Sequence, residues 1–172
     1  MLLKVEAPRP ARDADWPAIA ALLEAEGLPR DGAREHLADF VVAEVDGRLV
    51  GVAGLECHGP VALLRSVVVA PDARDTGLAR RLVTQLGEMA EARGVAALYL
   101  LTTSAEAYFA RLGFRPIPRD RAPRALQASA EFQGACPASA VLMWRALPLP
   151  AATERARGAP ADQAAGPRAP GR

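Results

Sequence analysis

The chain has 172 residues, of which 51% are hydrophobic, and its formal net charge is +1. This length predicts one domain with a substantial core, and the near-neutral charge gives no general attraction to nucleic acid or acidic membranes. Met1–Lys4 is followed by charged residues and apolar runs are short, so we expect neither a signal peptide nor a membrane span. The two cysteines suggest a reduced, cytoplasmic protein, and their spacing to the two histidines predicts no metal site.

The first half of the chain predicts one helix followed by a meander of strands. A short strand is expected at 3–8, and Asp13 is placed to cap a helix at 14–26. A second, short helix is expected at 31–39. Strands follow at 40–45, 48–57 and 61–69, the first two joined by the hairpin signal Asp46-Gly47.

The second half predicts an alternation of helices and strands. An amphipathic helix at 78–93 and a strand at 97–102 imply a right-handed crossover with parallel pairing. Ser104 is placed to cap a helix at 105–112, before a strand at 114–117. An irregular stretch at 118–137, with a helical turn at 128–132, precedes a last strand at 139–146. Residues 1–147 therefore form the domain, and the Ala-, Pro-, Gly- and Arg-rich stretch 148–172 is expected to be a disordered tail.

The turn between the strand at 61–69 and the helix after it points to a ligand. Its sequence is Arg74-Asp75-Thr76-Gly77-Leu78-Ala79. Gly77 permits a close approach of the backbone, and free amides at a helix start form a pocket for anionic oxygens. We interpret this turn as a cradle for a pyrophosphate. The competing interpretation is an ordinary strand-to-helix turn.

This turn and the later stretch Ala105 to Phe114, which reads AEAYFARLGF, resemble the two signatures of the GNAT family of acetyl-coenzyme A dependent N-acetyltransferases. The resemblance covers 3–147. It implies an α/β (α+β) fold with a central mixed, mostly antiparallel, twisted sheet of six to seven strands and about four helices on both faces. It also implies acetyl-CoA as co-substrate, a small-molecule amine as acceptor and a homodimer.

Four further segments resemble the GNAT branch encoded in arsenic-resistance operons: Leu63–Ser66, Leu100–Thr103, Glu131-Phe132 and Cys136–Ala140. That resemblance implies an acceptor like the amino-acid toxins that carry arsenic or phosphorus. Two other functions stay open. One is a protein acetyltransferase that modifies an N-terminus or a lysine, and the other is a catalytically weak module that binds acetyl-CoA.

The resemblance assigns coenzyme binding to the turn and to the strand before it. The turn would bind phosphates through its amides, with charge from Arg74 and Arg80, and the main chain of Val67 and Val69 would pair with the pantetheine arm. That arm would lie in a splay beside the strand that ends at Thr102, and an amide near Val67 would meet the thioester oxygen. The residues assigned to the coenzyme are Val67, Val69, Arg74, Asp75, Thr76, Gly77, Leu78, Ala79, Arg80 and Thr102.

Proton transfer is where the chain departs from the family. Phe109 stands where many members carry the tyrosine that protonates the leaving thiolate. Its neighbour Tyr108 either takes that role or faces the core, and the thiolate could also leave without a dedicated acid. Thr102 stands where the family has an asparagine, and would offer a hydroxyl to the coenzyme or to a bound water.

Glu56 is our candidate for the base, since Leu63 replaces the carboxylate often found in the family's central strand. The alternative is a surface carboxylate beside the turn at His58. Arg65 and Ser66 are candidates for substrate binding, and their side chains should point to opposite faces of the strand. Arg65 would bind an anionic group of the substrate or, alternatively, pair internally with a helix carboxylate.

Overall fold

A computed structural model describes residues 3–147 of the chain, and the predicted tail at 148–172 lies outside the described residues. The core of the fold is a seven-stranded sheet with the order β1-β2-β3-β4-β5-β7-β6. The strands are β1 (Arg9–Pro10), β2 (Phe40–Val45), β3 (Arg48–His58), β4 (Val61–Val69), β5 (Ala97–Thr102), β6 (Arg115–Ile117) and β7 (Val141–Ala146). The α-helices are α1 (Trp16–Ala25), α2 (Leu78–Ala92) and α3 (Glu106–Arg111).

Strand pairing confirms the predicted mixed sheet. Within residues 3–147, β4 and β5 are the only parallel neighbours, and every other pair is antiparallel. The parallel pair follows from α2, which carries the chain back across the sheet before β5 begins. The hairpin at Asp46-Gly47 is present between β2 and β3.

The sheet is buried on both faces by two hydrophobic clusters. Along β2, Val41 and Ala43 pack into the cluster that contains the apolar stripe of α2, whereas Phe40 and Val42 pack into the cluster that contains α1. This alternation is what a pleated strand imposes. Gly54 lies so close to the ring of Phe40 that a Cβ there would come within 2.1 Å of it, so this position of β3 has no room for a side chain.

Four predictions differ from the structure: the first strand, the two helix caps and the second helix. Regular pairing of the first strand covers only Arg9–Pro10 and not 3–8, where the N–H of Glu6 still donates to the carbonyl of Glu44 at 2.9 Å. Asp13 begins a single 3₁₀ turn, and α1 starts after it at Trp16. The helix expected at 31–39 is a 3₁₀ turn over Arg34–Asp39. Ser104 does not cap α3, since the Oγ1 atom of Thr102 accepts the main-chain N–H of Ala105 at 3.0 Å.

The stretch between β6 and β7 contains three short turns where we expected one. They are Arg119–Arg121, Arg124–Ala128 and Glu131–Ala135. Gly134, with φ of +111°, allows the chain to leave the last turn. The Arg119 guanidinium donates to the carbonyl of Pro137 at 3.1 Å and so ties the start of the stretch to its end.

Candidate active site

The parallel strands β4 and β5 separate toward their carboxyl ends. They pair at only three positions, Val61–Leu63 with Ala97–Tyr99, and the strands are no longer hydrogen-bonded to each other after these. On its other side β5 stays paired with β7 along its whole length. A wedge therefore opens between the two strands, as the family resemblance implies, and two adjoining cavities occupy it.

A β-bulge lies in β4 at the edge of this wedge. The pairing register between β3 and β4 shifts there, and Ser66 has a left-handed φ of +56°. The bulge brings Arg65 and Ser66 to the same side, where the Nε atom of Arg65 donates to the Oγ atom of Ser66 at 3.2 Å. The prediction that these two side chains point to opposite faces is therefore wrong, because it assumed a regular pleat.

The first cavity, which we call the outer cleft, has a volume of about 530 Å³. Its walls are the last residues of β4, the turn before α2 and the start of α3. It contains seven of the residues predicted to bind the coenzyme: Val67, Val69, Arg74, Asp75, Gly77, Leu78 and Ala79. The sequence pattern pointed to the end of β4 and the start of α2, and these two segments line the same cavity.

The turn before α2 has a backbone conformation that most residues rarely adopt. Asp75 and Gly77 have left-handed φ angles of +61° and +75°. The hydroxyl of Thr76 donates to the carbonyl of Ala73 at 2.6 Å and so fixes the turn. A Cβ at Gly77 would meet nothing within 4 Å, so glycine is required there for its backbone angle and not for space within the protein.

Three predicted coenzyme residues differ from expectation in their side chains. Thr76 is committed to the turn itself. Arg80 lines cavities on the outer side of α2 and is not among the residues that line the cleft. Arg74 lines the cleft, but its guanidinium pairs with Glu26 and its Nε atom donates to the carbonyl of Val69 at 3.2 Å.

Tyr108 and Phe109 occupy different positions around the wedge. Phe109 is buried and lines both cavities, whereas Tyr108 is half-buried and lines only the outer cleft. Burial raises the pKa of Tyr108, and the nearby charges of Arg111 and Arg80 oppose that rise. Thr102 lines the second cavity, with its oxygen already accepting the N–H of Ala105.

The second cavity, the inner cavity, has a volume of about 310 Å³. One wall is formed by the bulged part of β4 and the other by the end of β5 with Thr103 and Ser104. Glu131, Cys136 and neighbouring residues from the stretch before β7 close it. The inner cavity and the outer cleft adjoin, because they share six lining residues: Glu26, Leu28, Val67, Ser104, Ala105 and Phe109.

A buried ionic cluster lies against the inner cavity. The side chain of Arg65 is completely buried, and its Nη1 atom donates to Glu56 at 2.5 Å. Its Nη2 atom donates to the carbonyl of Asp31 at 2.8 Å, and its Nε atom lies 3.6 Å from the carboxylate of Glu131. Of the two interpretations of Arg65, the structure shows the internal pair, although the partners lie on a strand and a loop turn and not on a helix.

Glu56 lies behind Arg65 and is not among the residues that line the inner cavity. Burial would raise the pKa of Glu56, but hydrogen bonds from Arg65 and Ser129 outweigh it and hold that pKa below the ordinary value. The imidazoles of His36 and His58 lie 3.8 and 3.5 Å from its other oxygen. Glu56 is thus a buried and paired carboxylate, which rules out the alternative of a surface group.

Glu131 is a titratable residue of the cavity to which the sequence assigned no chemical role. It is 4% exposed. Burial raises its pKa to about 7, with Arg65 opposing the rise and Glu56 adding to it. The neighbouring thiol of Cys136 has its pKa raised to about 12, again mainly by burial. The available signal was a lone carboxylate in a long inter-strand connection, a kind of segment that is often functional.

Two expected absences concern the part of the chain that the structure describes. Among residues 3–147, no three histidine, cysteine or carboxylate side chains come together to hold a metal ion. No helix in that range is long and apolar enough to cross a membrane.

Comparison with known proteins finds similarity to acetyltransferases. Residues 36–116 match the family described as an acetyltransferase (GNAT) domain. An amino-acid acetyltransferase of Neisseria meningitidis is 34% identical over 127 residues, which are 67% of this chain and 28% of that protein. An uncharacterized N-acetyltransferase of Chlorobaculum tepidum is 29% identical over 67% of this chain and 79% of its own length.

Among solved structures, N-acetylglutamate synthase from Neisseria gonorrhoeae, complexed with coenzyme A and N-acetyl-glutamate, superposes with a TM-score of 0.72 and 28% identity. The match covers 86% of this chain and 36% of that one. This chain thus spans about a third or less of the length of the amino-acid acetyltransferases that it matches. It has the GNAT fold.

Proposed function

We propose that this protein is an acetyl-CoA dependent N-acetyltransferase that acts on the primary amine of a small molecule. The observation that carries the proposal is the meeting of two unlike cavities in the wedge between β4 and β5. The outer cleft lies over a helix N-terminus with free amides, and the inner cavity is closed by a buried carboxylate. Such a pair suits a long anionic cofactor on one side and a short polar acceptor on the other.

The outer cleft supports binding of the coenzyme. The first N–H groups of α2 lack partners within the helix, and the positive end of its dipole favours the pyrophosphate. The pantetheine arm would run along Val67 to Val69 toward the point where the cavities meet. The homologous Neisseria gonorrhoeae structure was determined with coenzyme A, which supports the same assignment here.

The inner cavity supports a small acceptor. Its volume of about 310 Å³ lies at the small end of the range for ligand pockets. The matched relatives are named amino-acid acetyltransferases, so an amino acid or a close analogue is the preferred class. The resemblance of Leu63–Ser66 and Cys136–Ala140 to the arsenic-resistance branch adds glutamate analogues that carry arsenic or phosphorus to that class.

The chemistry is attack of the neutral amine on the thioester carbonyl. A main-chain amide near Val67 would stabilise the oxyanion, because this residue lies where the two cavities meet. Phe109 occupies the usual position of the acid, so the thiolate takes its proton from a hydroxyl such as Ser104 or from solvent. A cytoplasmic location and a homodimer remain predictions.

The test is a panel of amines incubated with acetyl-CoA, with thiol release followed in time and acetylated products identified by mass spectrometry. The panel contains amino acids, arsenic- and phosphorus-bearing glutamate analogues, and peptides with a free N-terminus or a lysine. We expect an amino-acid-like amine to give the fastest release. Release only with peptides would favour a protein acetyltransferase, and coenzyme binding without release for any amine would favour the binding module.

A further inference from the structure

We propose that Glu131 is the catalytic base, which takes a proton from the ammonium group of the acceptor in the inner cavity. This inference rests on the proposed function and assigns a residue to its proton transfer. It replaces Glu56, the base that the sequence favours, with a carboxylate from the connection between β6 and β7.

The position of Glu131 suits this role. It is the first residue of the turn Glu131–Ala135 and lines the inner cavity. The turn is fixed by hydrogen bonds from the N–H of Cys136 to the carbonyl of Glu131 at 3.2 Å and from Ala135 to Ala130 at 3.0 Å. The N–H of Glu131 itself donates to the hydroxyl of Ser129 at 3.3 Å. The carboxylate is therefore carried by an anchored wall of the cavity.

The charges around Glu131 leave it only partly neutralised. Arg65 lies between two carboxylates and gives its shortest bond, 2.5 Å, to Glu56, whereas Glu131 lies 3.6 Å away from it. The other titratable neighbour is the Cys136 thiol, which stays protonated at neutral pH because its pKa is about 12. With a pKa of about 7, Glu131 exchanges protons near neutral pH, which is where a general base works well.

The other charged groups at the wedge are less suited to the task. Among the described residues that line the inner cavity, the charged side chains are Glu26, Arg65 and Glu131, and Glu26 already pairs with Arg74. His36 and His58 face Glu56 and do not line the cavity. An entering ammonium group would supply the positive charge that the cluster of Glu56, Arg65 and Glu131 lacks, so we expect this cavity to select a cationic head group.

The proton balance of the step is complete without a further reactant. Glu131 takes one proton from the ammonium and leaves a neutral amine. The nitrogen lone pair then forms the C–N bond to the carbonyl carbon, the C–S bond breaks, and its electron pair stays on sulfur. The nitrogen gives up a second proton, the thiolate takes one up, and one proton in total passes to solvent. The products are the amide and free coenzyme A.

The first test compares Glu131→Gln with wild-type protein for the fastest amine of the panel. We expect kcat/KM to fall by about 100-fold or more, in the range of a lost general base. The rise of kcat/KM with pH through about 7 should disappear, and affinity for acetyl-CoA should stay unchanged. Glu56→Gln is the matched control at a second buried carboxylate, and its kcat/KM should still rise with pH through about 7. If Glu56→Gln removes the rise and Glu131→Gln keeps it, the assignment is overturned.

A second acceptor separates a base from a residue that only shapes the cavity. An alkoxyamine with the carbon skeleton of the fastest amine is largely neutral at pH 7 and needs no base before attack. With it, Glu131→Gln should lose less than about tenfold. Equal losses for both acceptors would show a positioning role and overturn the proposal. If the wild-type protein acetylates no amine, the proposed function is wrong, and this inference is wrong with it. If the wild type is active and Glu131→Gln is equally active, only this inference is wrong.

Discussion

The outer cleft and the inner cavity are adjacent, but they are built in different ways. The outer cleft depends on main-chain amides in one continuous turn, Arg74 to Ala79, and on the strand just before it. The inner cavity is lined by side chains from β4, from β5 and from the connection before β7, with Glu56 of β3 behind Arg65, and these segments are far apart in the chain. A site made of backbone leaves a local sequence pattern, whereas a site made of distant side chains leaves single residues whose partners are unknown until the fold is known.

The two regions also differ in how their charges are solvated. In the outer cleft, the pair of Arg74 and Glu26 is partly exposed to water, with the arginine side chain 49% exposed. Beside the inner cavity, the side chains of Arg65 and of Glu56 behind it are 0% and 1% exposed. Exposed pairs contribute little to stability, and buried groups are costly once a partner is lost. Substitutions of similar chemistry should therefore have very different effects in the two places.

The largest effect is expected for Arg65→Met. This change leaves Glu56 and Glu131 buried without their cation, which typically costs about 3–5 kcal/mol of unfolding free energy. Urea unfolding at neutral pH measures it. The matched control is Arg74→Met in the outer cleft, which should lose less than about 1 kcal/mol because water and salt screen its pair with Glu26. Similar losses for both variants would remove the distinction between the two regions.

A slightly smaller effect is expected from the ionisation of Glu131. Its pKa is about 7 in the folded protein against an ordinary value of 4.5, so folding binds a proton between these values. The contribution of Glu131 to the free energy of unfolding is fully present below pH 4.5 and is lost as the pH rises through about 7. The 2.5-unit difference corresponds to about 3 kcal/mol. The free energy of unfolding of Glu131→Gln relative to wild type should therefore rise by about that amount between pH 4 and about 8.

The control for this pH dependence is Glu56→Gln, for which the sign is opposite. The pKa of Glu56 is lowered by folding, so its contribution is present above its ordinary value of 4.5 and lost as the pH falls through the lower value in the folded protein. Glu56→Gln should accordingly lessen the loss of stability in acid. A flat difference between Glu131→Gln and wild type from pH 4 to 8 would contradict the raised pKa of Glu131.

The third effect concerns the outer cleft alone. Gly77→Val places a β-branched side chain at a φ of +75° and changes the start of α2, so we expect acetyl-CoA to bind at least about tenfold more weakly. Gly59→Val is the matched control, because Gly59 has a φ of +67°, equally open surroundings and a position in the distant hairpin between β3 and β4. Calorimetric titration with acetyl-CoA compares them. Equal weakening in both variants would point to general strain and away from a coenzyme cradle.

The outer cleft and the inner cavity also differ in how well the sequence predicted them. The order of strands and helices, the parallel crossover and the turn before α2 were all predicted, since each depends on a local pattern or on the handedness of connections. The bulge at Ser66 was missed because no glycine, proline or other residue typical of a bulge marks it in the sequence of β4. The buried position of Glu131 was missed because its neighbour Arg65 lies on β4, more than sixty residues earlier in the chain.

The smallest effect is expected for Tyr108→Phe, the change that tests whether the departing thiolate needs an acid. Tyr108 lines the outer cleft but not the inner cavity, and burial raises its pKa, so its proton is held firmly at neutral pH. We expect kcat to change by less than about threefold, whereas loss of a general acid costs about 100-fold or more. The assay is steady-state thiol release with the fastest amine, and Ser104→Ala, at the point where the cavities meet, is the companion variant. A 100-fold fall of kcat in Tyr108→Phe alone would instead make Tyr108 the general acid. The acid would then lie in the outer cleft and the base in the inner cavity, so the reaction would depend on both regions.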